Sequence, residues 1–367
     1  MNEHVILPVP DVLPLPAPAI LLQLLLQLTW LLHVLAMNAM LGGILLTVWH
    51  RLRATGTDDP RSALADTLAR TTPSLVATTV TLGVAPLLFL QVLMGQYFFT
   101  SSVLMGWSWF SIIIVLIAAY YGTYLQSFKG PRLGSARLPL LVLTALGFLW
   151  IGFMFSNNTN LMLQVRQWST LYFADARGLH LSVGHAMLAP RYVHMVLGAV
   201  AIAGLMLAWW GRIRLVRRDP SGGLMQTSGL SAFTWFTLAN SLVGLWYFMA
   251  VDRPVRRLFM GGDAMATGLL MIGLVLAVVM IVLAWRMKRA TTPARLMPLT
   301  AFTLVQMLTM ISLRDIVRRG SLIEWYRPEA FEVQTQVLNL ALFVVLLVVG
   351  IGTLVWMLRR LYLAWND

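Results

Sequence analysis

The sequence predicts an all-α, polytopic membrane protein. Apolar residues make up 59% of the 367-residue chain against 11% charged, whereas soluble domains hold about 45–50% and about 25%. Mean hydropathy is +0.77. The apolar residues also gather in runs long enough for the ~20 residues that a membrane-crossing helix needs. These runs lie near 19–49, 72–95, 102–127, 138–162, 190–210, 229–250, 263–285, 296–313 and 335–358. That is about nine spans, with no room for a sizeable domain outside the membrane.

Residues 1–18, MNEHVILPVPDVLPLPAP, are rich in proline and acidic, without the basic start of a signal peptide. They are expected to stay on the protein as an external extended segment, ahead of a single transmembrane domain over 19–367. The first apolar run exceeds thirty residues, so its helix must tilt or protrude. Spans two to nine follow with short loops, except for two external connections, 163–189 and 314–334. No repeat of 20–50 residues marks a solenoid, and no paired broken spans mark an inverted-repeat transporter.

Charge sets the orientation. With nine spans, the loops after spans one, three, five and seven share a side with the C-terminus. That side holds 17 of the 27 Lys and Arg and five of the 14 acids, a balance of +12, against +1 for the other side. The positive-inside rule therefore places the C-terminus in the cytoplasm and the N-terminus outside. The net charge of +13 is thus an orientation signal rather than a sign of nucleic acid as a partner. Membrane lipid is the partner that the composition demands.

The absence of cysteine excludes iron–sulfur clusters, covalently attached c-type haem and disulfides. Six histidines remain, at 4, 33, 50, 180, 185 and 194; of these His33 lies within span one and His194 one turn inside span five. An ionisable side chain in a span must find a partner, because water is absent. That partner could be a neighbouring helix, with the imidazole purely structural, or a metal. Small residues beside each histidine favour a planar ligand: Ala36, Gly42 and Gly43 after His33, and Gly198, Ala199 and Ala201 after His194.

Carboxylates are missing from the middle of every span; Asp252, Asp263 and Asp315 are placed at external ends. Proton pumps use intramembrane acids as relays, so this pattern favours electron transfer over proton translocation. Among 21 methionines, Met271 in LMIGL (270–274) is expected at a depth compatible with His194, with Met195, Met265 and Met310 as rivals. Methionine opposite histidine on a haem iron raises its potential. Haem propionates need cations at the surface, and the external ends supply Arg191, Arg253, Arg256 and Arg314, with Arg166, Arg257, Arg318 and Arg319 nearby.

These residues resemble the haem-bearing subunit I of cytochrome bd-type quinol oxidases. The resemblance rests on His33 in span one, TLGVAPLLFLQVLMGQYF (81–98), LWIGFMFSNNTN (149–160), PRYVHMVLG (190–198) and LMIGL. It implies a nine-span fold in a bacterial inner membrane, one to three b-type haems, and quinone or quinol as substrate. It further implies that His194 and Met271 hold a low-spin haem and that His33 ligates another. Three family features are absent. Span three, SIIIVLIAAYYG, lacks the family's glutamate; the loop between spans six and seven shrinks to VDRPVRRLFMGGD; and LRDIVRR stands where the family has Gly-Arg-Gln-Pro-Trp. The expectation is therefore a b-type cytochrome passing electrons between the quinone pool and an outer redox partner, such as a c-type cytochrome. A terminal quinol oxidase and a cofactor-free transporter or membrane anchor are the alternatives.

Overall fold

The computed structural model describes residues 13–287, 292–328 and 331–364. Among them the chain is helical, with one isolated β-bridge between Leu15 and Val333. The helices are α1 (Ala19–Arg53), α2 (Pro60–Lys129), α3 (Arg137–Met162), α4 (Trp168–Ala174), α5 (Leu188–Val216), α6 (Ser221–Ala250), α7 (Arg253–Arg257), α8 (Ala264–Met287), α9 (Pro293–Ser321) and α10 (Val337–Ala364).

By length and apolarity six helical stretches can cross a membrane, or seven if α6 and the segment bent from it by 117° count as one. The expected count of about nine is not reproduced by this measure. The reason is physical: one of the six is the 103-residue stretch 60–162. At 1.5 Å per residue it would measure roughly 150 Å if straight, several bilayer thicknesses. It is not straight. Helical dihedrals fail at Met94 and Gly106, and Gly134 takes φ +51°. The chain folds back at these points: Arg137 and Arg51 both pair with Asp66, and Asn158 donates to Ser102 Oγ at 3.0 Å.

Close backbone approach fixes α5 against its neighbours. A Cβ at Gly229 would lie 2.5 Å from the Ala208 nitrogen, and one at Gly204 would lie 2.7 Å from the Gly229 oxygen, so only glycine lets α5 and α6 meet. Gly42 likewise seats α1 on Ala199 and Ala203 of α5. Leu46 packs with Leu207 further along, so α1 and α5 run parallel. Measured from the Gly42–Ala199 contact, His33 lies nine residues back and His194 five. Their depths therefore differ by about one helical turn, roughly 6 Å.

Of the segment 1–18, expected to be external and extended, residues 1–12 lie outside the described residues; Leu15 is extended, in a β-bridge with Val333, and it and Ala17 are buried. Leu15 donates to Glu332 O at 2.8 Å and accepts from Gln334 N at 3.0 Å. Two expectations need correction, both around 314. The connection expected from 314 is helical to Ser321, because nothing in LRDIVRR breaks a helix before Gly320. Consequently Asp315 is not at a free end; it is buried, held by Arg318 and by Arg319 Nε at 2.9 Å. By contrast α10 meets the bundle near its start, through Phe343 edge-on to Phe89 at 5.0 Å, and its apolar window is wholly unburied.

Candidate functional site

Both span histidines are held by the same local arrangement. His33 Nδ1 lies 3.0 Å from the Thr79 carbonyl oxygen of α2, and a Cβ at Gly83 would meet its ring at 3.0 Å. His194 Nδ1 lies 3.2 Å from the Asn240 carbonyl oxygen of α6, and a Cβ at Gly244 would meet its ring at 3.3 Å. In each case the glycine follows the accepting residue by four positions. That glycine's N–H occupies one lone pair of the carbonyl; its missing side chain opens a notch through which the imidazole reaches the other.

A carbonyl oxygen can only accept, so Nδ1 must carry the proton in both rings. The tautomer is thereby set, and Nε2 is left with its lone pair outward. Metal-ligating histidines are prepared in this way, by donating their second ring N–H to a backbone carbonyl or carboxylate. A structural histidine would also bond a neighbouring helix; what a ligand adds is an Nε2 without a hydrogen bond among the described residues.

Arginines lie one turn from each notch. Arg191, three residues before His194, donates to Tyr247 Oη at 3.0 and 3.3 Å, while its Nη1 is buried without a partner among the described residues. Tyr247 itself is three residues beyond Gly244. On the other side, the Arg314 guanidinium stacks 4.2 Å from the Trp30 ring, and Trp30 packs against His33 at 5.4 Å. Arg314 has no ion pair among the described residues. An anion with two carboxylates suits this pair of guanidiniums, one with a buried orphan donor and one unpaired.

The remaining expected residues are not brought to these notches. Met271 on α8 keeps 50% of its surface exposed, whereas the neighbours that define His194 lie on α6. Met265 is 64% exposed; Met195 packs on Gly152, and Met310 lies against Gly273. Arg253 is exposed on α7, and Arg256 spends a donor on Met249 O at 2.7 Å. Of the other histidines, His180 bonds the Asp175 carbonyl at 2.6 Å, His185 accepts from Met187 N at 3.3 Å, and His50 is buried at the opposite end of α1. His4 lies outside the described residues.

Sequence reasoning missed Trp30, Thr79, Gly83, Asn240, Gly244 and Tyr247. A signal for the notches was present: TVTLG (79–83) and NSLVG (240–244) both place glycine four residues after a polar residue within an apolar run. The helix pairing that puts those notches opposite His33 and His194 was not legible.

A solved structure, that of the bd oxidase from Geobacillus thermodenitrificans, superposes with a TM-score of 0.71 over 95% of this chain and 100% of that one, at 14% identity. No family model matches the chain. No curated protein matches it either. The fold is therefore that of a bd oxidase chain, and the chain is a multi-pass membrane protein by its apolar helices.

Proposed function

We propose that the chain is a nine-pass b-type cytochrome subunit of a bacterial inner membrane, related to bd-type quinol oxidase subunit I. It would exchange electrons between the quinone pool and a redox partner on the outer face, such as a c-type cytochrome. The observation that carries this reading is the pair of histidines whose Nδ1 is locked on a carbonyl, leaving Nε2 as a ligand. The nine passes come from dividing 60–162 at its breaks and counting α6 once. In this reading 19–367 is one haem-binding domain, the α1 start faces outside, and the C-terminus is cytoplasmic.

Haem, when bound, would supply reversible one-electron chemistry at neutral pH. The chain's own residues would do the rest. His194 and His33 would each offer one Nε2 to an iron, with the ring held by the helix notch behind it. Arg191 and Arg314 would take the propionates, with Arg253 and Arg256 at the outer surface as secondary cations. Met271, expected at a depth compatible with His194, would be a second ligand only by turning its unbranched, rotatable side chain inward. Trp30 and Tyr247 position the two guanidiniums and keep water from the rings. The proposed haem number is one to three.

The fold match favours one second reading, a terminal quinol oxidase. Against it stands the apolar stretch Ile112–Ala119, which offers no acid to carry protons inward. A soluble-quinol assay on an oxygen electrode separates the two: the isolated chain should show haem in a pyridine haemochrome assay but negligible oxygen uptake. Turnover near the enzyme median of about 10 per second would establish the oxidase. Absence of haem would leave the anchor or transporter.

A further inference from the structure

Of the 14 tryptophans, four have an arginine four residues further on: Trp49–Arg53, Trp210–Arg214, Trp285–Arg289 and Trp356–Arg360. Each pair closes a span, at the ends of α1, α5, α8 and α10; Arg289 lies outside the described residues. A spacing of four sets two side chains on one helix face. The three described pairs are stacked, with the guanidinium carbon 4.1 Å from the ring centre of Trp49, 5.3 Å from that of Trp210 and 5.5 Å from that of Trp356. They share one end of the bundle: α1 and α5 run parallel, and α10 sets out beside the start of α1, where Gln336 N donates to Pro16 O at 2.9 Å. Toward the other end the arginine–aromatic contacts are of a different kind. Arg166 on Trp325, Arg191 on Tyr247 and Arg314 on Trp30 each join distant parts of the chain, whereas the pairs at spacing four stay within one helix. Trp49 and Trp356 are 51% and 56% exposed, and neither Arg53 nor Arg360 has an ion pair among the described residues. Arg214 differs, because Asp219 at 3.1 Å and Ser221 Oγ at 3.0 Å already engage it.

We propose that the Arg53–Trp49 and Arg360–Trp356 pairs are seats for the headgroup phosphate of anionic phospholipids. The inference goes beyond the electron-transfer reading and does not depend on haem. A half-exposed indole at the end of a span suits the boundary between hydrocarbon and headgroups. The ring covers one face of the guanidinium and leaves its N–H edge, which matches two phosphate oxygens. With no carboxylate on either arginine, a headgroup of net negative charge is the missing complement; a zwitterionic headgroup brings its own cation. Arg214 is the internal contrast, since Asp219 fills the same seat at the end of α5. Placement favours a leaflet over a protein partner. Among the described residues α1 and α10 share no extended contact, so the two seats lie apart on the bundle, as separate lipids do, rather than in one patch.

The test is electron spin resonance of the full-length protein reconstituted in phosphatidylcholine vesicles. Spin-labelled phosphatidylglycerol is compared with spin-labelled phosphatidylcholine for the fraction held motionally restricted at the protein surface. The wild type should hold phosphatidylglycerol in excess. Arg53→Gln combined with Arg360→Gln should lose most of that excess. Trp49→Leu combined with Trp356→Leu keeps both charges but removes the rings, and should lose a large part of it. Arg214→Gln should change nothing, because Asp219 occupies that guanidinium. Lys129→Gln combined with Arg132→Gln removes two exposed cations of the same end that stack on no ring among the described residues, and should keep the excess. A loss in this control pair, or in Arg214→Gln, as large as that in the Arg53 and Arg360 pair would reduce the effect to the general positive charge of that end and overturn the proposal. Tryptophan variants with the full excess would overturn it as well. So would a wild type that holds the two lipids alike, which would leave the seats to an acidic protein instead.

Discussion

His33 and His194 sit on parallel helices about one turn apart in depth, each with Nδ1 on a carbonyl and its ring against a glycine four residues further on. Beyond that shared frame they differ. The His33 notch joins α1 to α2 and lies beside an unpaired guanidinium; the His194 notch joins α5 to α6, whose backbones touch along four glycines. An arginine stands near each, Arg314 over Trp30 and Arg191 on the Tyr247 hydroxyl. The contrast shows that one backbone device can serve two different helix pairings without changing its hydrogen-bond geometry. The opposite end of the bundle uses charge differently, closing Asp66 between Arg51 and Arg137 to pin three helical segments together.

The strongest way to break the comparison is to fill one notch at a time. Gly83→Leu should expel the His33 ring and Gly244→Leu the His194 ring, each abolishing one spectral component and sparing the other. Overpacking of this kind costs about 1–3 kcal/mol. Thermal unfolding by intrinsic tryptophan fluorescence would report that cost separately from the spectrum. Loss of both components from either variant would mean that the two sites do not stand independently.

Asp66→Asn should act in the reverse sense. It leaves two guanidiniums without their carboxylate, yet Asp66 is a third exposed, so the loss should be about 1–2 kcal/mol, between the surface and buried limits. The thermal midpoint should fall and both haem components should keep their wild-type positions. A spectral change would show that this end of the bundle reaches the sites.

A smaller effect is expected from pH at the connection between α3 and α5. Arg177 holds the Asp175 carboxyl down at about 2, and burial lowers His185 from its ordinary 6.5. Both folded values lie below the unfolded ones, so the stability each contributes is present at neutral pH and lost on acidification. The His185 part should go first, below about pH 6.5, and the Asp175 part only between 3.8 and 2. Limited proteolysis between Leu163 and Met187 should therefore quicken from pH 7 to pH 5. A rate that did not change would contradict this assignment.

Much of this architecture was legible in the sequence, because bilayer physics allows few alternatives. The apolar runs at 138–162 and 190–210 fall within α3 and α5, that at 263–285 matches α8 to within two residues at each end, and the histidines were singled out by the cost of burying them. The turns at Met94 and Gly106 were harder, since neither residue breaks a helix by propensity alone and the break is stabilised by contact. The Gly106 bend is met by the backbone of Gly178, whose carbonyl accepts from Trp107 N at 3.1 Å. Asp315 was misplaced for a related reason: α9 extends past its apolar run because Arg318 and Arg319, within the same helix, compensate the buried carboxylate. Met271 rests on depth alone, which gives height in the bilayer but not the direction in which a side chain points.

The central claim is that His33 and His194 are two separate iron ligands. Its most direct test is the reduced-minus-oxidised spectrum of the purified protein beside those of His194→Ala and His33→Ala. The account predicts a b-type spectrum in the wild type, with the low-spin component absent from the His194 variant alone and a second component absent from the His33 variant alone. A low-spin spectrum unaltered by His194→Ala, or a wild type without a Soret band, would contradict it.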